Sequence, residues 1–126
     1  MGLSTHVLDT MHGCPAAGMA VALYATGSAN DGKGEVGAGA PALLRRLVLN
    51  ADGRADGPLV DALALHAGTY RLTFDVADYF AARGVALPQP NFLGQVHIDF
   101  GIADTAQHYH VPLLVSPWSY STYRGS

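Results

Sequence analysis

The stretch "TYRLTFDV", residues 69–76, alternates apolar and polar side chains without a break. Tyr70, Leu72, Phe74 and Val76 fall on one face of an extended chain, and Arg71, Thr73 and Asp75 fall on the other. A period of two argues against an amphipathic helix, whose apolar stripe recurs every three or four residues. "VHIDFGI" repeats the pattern, with Val96, Ile98, Phe100 and Ile102 opposed to His97, Asp99 and Gly101. "AAGMAVALYA" and "LLRRLVLNADGR" show it more weakly. "HYHVPLLVSP" reads as a further strand in which Pro112 predicts a sheet edge or an irregularity.

Glycine and proline gather between these runs. "NADG", residues 50–53, has the Asn, Asp and Gly of a hairpin turn. Residues 26–41, "TGSANDGKGEVGAGAP", read as a long loop too poor in large apolar side chains to be a core element, and "ALPQPNFLG" as a second loop. One helix is expected, in "DVADYFAARG", with Asp75 or Asp78 capping its start and Gly84 taking the left-handed position at its end. Several short strands and one short helix predict an all-β antiparallel sandwich, with residues 1–126 forming a single domain.

Charged residues make up 13 % of the chain and the net charge is −3, which leaves no electrostatic footprint for nucleic acid or an acidic membrane. So low a charge content suggests that other subunits cover part of the surface. No apolar run reaches the roughly 18 residues of a membrane span. The single cysteine, Cys14, rules out an internal disulfide and reads as a half-buried residue in a reducing compartment, with a catalytic thiol as the alternative. The first residues lack the basic and apolar regions of a signal peptide, so a cytoplasmic location is expected.

Six histidines remain to be explained. His108 and His110 are two apart on a strand, so their side chains leave one face about 7 Å apart at their bases. Three readings stand: a hydrogen-bonded structural pair, a metal-binding pair, and an acid–base pair. The metal reading lacks a clear third ligand, although His6 in "STHVLD" is a candidate. Arg54, at the end of "NADGR", is either a solvated turn residue or a clamp for an anion or carbonyl. His12, His66 and His97 have no context that raises them above structural roles. No paired carboxylates, phosphate-binding loop or nucleophile elbow occurs.

"LSTHVLDT", "NADGR", "HYHVPLLVSP" and the closing "YSTYRGS" occur in that order along the chain. Together they resemble the 5-hydroxyisourate hydrolases, the transthyretin-related enzymes of purine catabolism. The resemblance implies a transthyretin-like sandwich of two four-stranded sheets with one short helix. It implies a homotetramer, a dimer of dimers with active sites at the dimer–dimer interface. It also implies hydrolytic opening of the 5-hydroxyisourate ring, without cofactor or metal. The family's site residues carry over as His6, Arg54, His110 and Ser126 in catalysis, with His6, Arg54, Tyr123 and His108 binding substrate. This chain departs from the family at Asn50, where Thr is frequent. It departs again before "HYH", where "LGQVHIDF" replaces a common Pro-Glu start. The rival expectation is a transthyretin-like carrier that binds a small ligand without chemistry.

Overall fold

A computed structural model describes residues 2–28 and 41–125. In chain order its elements are β1 (Gly2–Asp9), β2 (Cys14–Pro15), β3 (Ala20–Ser28), β4 (Ala42–Val48), β5 (Gly68–Asp75), α1 (Val76–Ala82), β6 (Gln95–Ile102), β7 (His108–Val115) and β8 (Tyr120–Thr122). They form two four-stranded sheets, one ordered β2-β1-β7-β8 and the other β4-β3-β5-β6. Among the described residues no helix is long and apolar enough to cross a membrane.

Alternation decides which faces meet. Leu3 and Val7 of β1 and Tyr109, Val111, Leu113 and Val115 of β7 turn inward. They pack against Val21, Leu23, Tyr70, Leu72, Phe74, Val96, Ile98 and Ile102 of the other sheet. Each large apolar side chain buried there contributes about 1.5–3 kcal/mol. The inward sets expected in residues 70–76 and 96–102 are therefore the observed ones, although Thr73 is buried as well.

Four local expectations need correction. The sandwich is not wholly antiparallel, because β1 and β7 pair in parallel over eight residues. These two strands are joined through the whole second sheet, and so long a connection permits parallel pairing. Pro112 lies in a central strand, not at an edge, opposite His6 of β1. On its other side β8 pairs only with Leu113–Val115, so no ladder partner stands opposite Pro112 there. The "NADG" turn does not close a hairpin within one sheet. It carries the chain from β4 across to β1, where Arg54 forms an isolated antiparallel bridge with His6. Finally, β3 continues to Ser28, so the expected loop at 26–41 begins later. Residues 29–40 lie outside the described set.

The helix is as expected in place and in its ending, with Gly84 at φ +83°. Asp75 occupies the N-cap position without capping. Its carboxylate instead accepts a 2.7 Å hydrogen bond from Gln95 Nε2.

Candidate active site

The outward face of β1 and β7 gathers the histidines. The parallel register sets Gly2 beside His108, Ser4 beside His110 and His6 beside Pro112. Side chains of even-numbered residues on both strands leave the sheet on the side away from the core. His6, Ser4, His110 and His108 therefore share one face, while Tyr109 and Val111 are buried on the other.

One hydroxyl joins two of these rings. Ser4 Oγ lies 2.9 Å from His108 Nε2 and 2.8 Å from His110 Nδ1. His110 is half-buried and His108 exposed. The C-terminal segment closes on the same ring: the Gly125 amide donates to the His110 carbonyl at 2.7 Å. A Cβ on Gly125 would stand 2.6 Å from His110 Cδ2, so only glycine fits against the imidazole there.

Arg54 reaches the site through its turn. Asn50 Oδ1 accepts from the amides of Asp52 (2.9 Å) and Arg54 (3.1 Å), and the Asn50 amide donates to the Arg54 carbonyl at 2.8 Å. Asn50 thus does the turn's structural work in place of the Thr frequent in the family. The carbonyl of Gly53, a residue at φ +72°, accepts a hydrogen bond from the Val7 amide at 2.9 Å. A Cβ at Gly53 would meet the Val7 carbonyl at 2.5 Å, so glycine is required to dock the turn on β1.

The electrostatics favour neutral imidazoles. Burial, the Arg54 cation, His6 and His108 all push the His110 pKa below its ordinary 6.5. Burial and Arg54 also lower that of His6, against an opposing pull from the Asp52 carbonyl and carboxylate. A half-buried neutral imidazole beside a guanidinium is equipped to take a proton while the guanidinium holds developing negative charge. Among the described residues no group of three or more His, Cys, Asp or Glu gathers to hold a metal ion.

The sequence-predicted residues divide into three groups. His6, His108, His110 and Arg54 come together. Tyr123 does not join them within the chain. It is exposed and lines a cleft with Ile98, Tyr109 and Val111, on the opposite side of β7 from the histidines. Ser126 lies outside the described residues. Two contributors went unpredicted, Ser4 and Gly125. Ser4 stands two residues before His6, on the same face of a strand, which was a readable signal. The contact with β7 that gives it meaning was not readable.

The chain is similar to known proteins along nearly its whole length. The HIUase/Transthyretin family model matches residues 3–125. The 5-hydroxyisourate hydrolase of Pseudomonas aeruginosa is 48 % identical over 124 residues, covering 98 % of this chain and 90 % of that one. The structure of Klebsiella pneumoniae 5-hydroxyisourate hydrolase superposes with a TM-score of 0.71 at 37 % identity, covering 98 % of this chain and 92 % of that one. That of (S)-allantoin synthase superposes with a TM-score of 0.86 at 40 % identity; the alignment covers 99 % of this chain but 43 % of the synthase. With the family match spanning nearly every residue and the histidine face built as described, the chain belongs to the HIUase/Transthyretin family.

Proposed function

We propose that residues 1–126 act as a single hydrolase domain that opens the six-membered ring of 5-hydroxyisourate. The product is 2-oxo-4-hydroxy-4-carboxy-5-ureidoimidazoline, in the catabolism of urate. One observation carries the reading: His6 and His110 share a sheet face with Arg54 bridged to it, and both imidazoles are biased toward the neutral form. The similarity to 5-hydroxyisourate hydrolases of Pseudomonas aeruginosa and Klebsiella pneumoniae supports the choice of substrate.

In this mechanism His110 is the general base that takes a proton from water, and hydroxide attacks a ring carbonyl. Arg54 binds the substrate carbonyls and stabilises the oxyanion. His6 contacts substrate beside Arg54. Ser126, Tyr123 and His108 complete substrate binding, and the reaction, a cyclic amide hydrolysis, needs no cofactor. The acting unit is a homotetramer in the cytoplasm, with sites between dimers. Assembly at the β6 and β8 edges fits the exposure of Trp118, Tyr120 and Phe92, and it would bring a partner's Tyr123 within reach of a second site.

The test follows the ultraviolet decay of freshly made 5-hydroxyisourate with wild-type protein and with His110→Asn, His6→Asn and Arg54→Ala. Loss of a base or an oxyanion-stabilising group should slow turnover about 10²–10⁴-fold. Wild-type turnover in all three variants would overturn the assignment. Decay no faster than without protein would favour the carrier.

A further inference from the structure

Two imidazoles on one hydroxyl leave little freedom in where protons sit. Ser4 has a single O–H hydrogen, yet its oxygen is within hydrogen-bond distance of His108 Nε2 and His110 Nδ1. The oxygen can accept from both rings, but a path that carries a proton between them has the hydroxyl donating to one ring and accepting from the other. If His110 Nδ1 bears the proton and donates, Ser4 donates to His108 Nε2, and His110 Nε2 is left bare and basic. If the direction reverses, His110 carries its proton on Nε2 and has no basic nitrogen to offer substrate water. In that arrangement the tautomers of the two rings are set together through one atom.

We infer that His108, Ser4 and His110 form a proton relay, with Ser4 setting the tautomer of both rings and His108 receiving the proton taken from water. This rests on the hydrolase reading above, with His110 as base. The water O–H bond breaks and an N–H bond forms at His110 Nε2. The Nδ1–H bond of His110 breaks as its proton passes to Ser4 Oγ. The original hydroxyl proton of Ser4 forms a new N–H bond at His108 Nε2. Hydroxide is consumed at the carbonyl, His110 returns to neutral, and reversal of the relay delivers the proton to the leaving nitrogen. The charge thereby moves from a half-buried ring near Arg54 and His6 to an exposed ring at the first residue of β7. That is the direction in which desolvation and cationic repulsion both fall.

Two measurements on the full chain test it. Nitrogen-15 NMR of histidine-labelled wild-type protein at neutral pH should show both rings protonated on Nδ1 and bare at Nε2. Ser4→Ala should destroy that bias at His110, and Ser4→Thr, which keeps the hydroxyl, should retain it. In the 5-hydroxyisourate assay Ser4→Ala should lower kcat about 10–100-fold, the range for losing a group that orients a functional imidazole, with KM little changed. Ser4→Thr should restore most of the rate. His108→Gln can accept the Ser4 hydrogen bond but cannot take a proton. It should keep the His110 tautomer and lose a similar factor in kcat.

The double variant Ser4→Ala/His108→Gln should then be no slower than either single variant, because both interrupt one path. Unchanged tautomers in Ser4→Ala, His110 protonated on Nε2 in the wild type, or full turnover in His108→Gln would overturn the relay. A fully active His110→Asn would instead sink the hydrolase assignment of His110, and the NMR result would still report on Ser4. Circular dichroism of each variant shows whether the sandwich is retained.

Discussion

Strand β1 feeds two histidine clusters on opposite faces of one sheet, and they differ in the partner each imidazole is given. On the inner face Asp9 is fully buried. Its carboxylate accepts from the His12 amide (2.9 Å), the His12 ring (Nδ1, 2.6 Å) and the Tyr79 hydroxyl (2.7 Å). His12 also stacks on Phe80. On the outer face Ser4 holds His108 and His110, and the nearby charge on His110 is a cation, Arg54. A buried carboxylate immobilises its histidine through a charge-assisted hydrogen bond. A hydroxyl orients a histidine without adding charge, and a neighbouring guanidinium keeps it neutral. The same residue type is therefore a brace on one side of β1 and a candidate base on the other.

The comparison breaks most readily at His110 and Asp9, in opposite readouts. His110→Asn should cost about 10²–10⁴-fold in kcat. The urea midpoint should stay near wild type, since the ring is an outward residue. Asp9→Asn should do the reverse. The amide loses the charged acceptor for Tyr79 and His12, and leaving such buried donors poorly matched costs about 3 kcal/mol. That loss should appear as a lower urea midpoint at fixed protomer concentration, with turnover per folded molecule unchanged. If Asp9→Asn slows catalysis while stability holds, the two clusters are not separate and the inner one serves the site.

A further contrast concerns acid. Burial alone would raise the Asp9 pKa, but the His12 amide, the Tyr79 hydroxyl and the His12 ring outweigh it and hold the carboxyl below its ordinary 3.8. A depressed carboxyl contributes stability above its unfolded pKa and loses it as pH falls through the folded value. In Asp9→Asn that contribution is gone, so wild type should lose its stability advantage over the variant below pH 3.8. A constant difference across the acid range would mean that the carboxylate's charge is not what braces the inner cluster.

How much of this was legible depended on sequence distance. Strand faces at 70–76 and 96–102 follow from alternation alone, because a side chain's direction on a strand is local. The shared face of His108 and His110 follows in the same way. Of the two readings of Pro112 the edge failed and the irregularity held, because edge position is a property of the flanking strands, whose β8 ladder stops at Leu113. The crossing of "NADG" from one sheet to the other was equally hidden, since turn chemistry fixes a reversal and not the strand that receives it. Arg54 could be named from its motif, but its bridge to His6 could not. Ser4 and Gly125 were missed because each acts only across the β7 register. Asp9 looked like one residue of a motif, and its burial beside Tyr79 joins positions 70 residues apart.

Gly125 sharpens the comparison by testing how firmly the outer cluster is held. Its backbone lies against His110 where a Cβ would approach Cδ2 to 2.6 Å and Cγ to 3.1 Å. Gly125→Ala must therefore displace the ring or peel the terminal segment away from β7. Either shift disturbs the 2.8 Å contact between Ser4 and His110. Turnover should fall about 10–100-fold, within the range for disturbing a group that orients a functional imidazole. The inner cluster is untouched, so the urea midpoint should move little. An active Gly125→Ala variant would show that the ring has room to adjust.

The smallest expected effect is a shift in titration, and it isolates what Arg54 does to the outer histidines. Burial comes first in lowering the His110 pKa, and the Arg54 cation second. A lowered pKa keeps the imidazole unprotonated, and so basic, down to a pH below 6.5. The acid limb of kcat/KM, which reports the free enzyme, should therefore fall below pH 6.5. Replacing Arg54 with Gln removes the second cause and leaves the first. The His110 titration, followed by NMR, should then move up toward 6.5 without reaching it. An unmoved His110 titration in that variant would mean that burial alone lowers it, and the division between brace and base would lose its electrostatic ground.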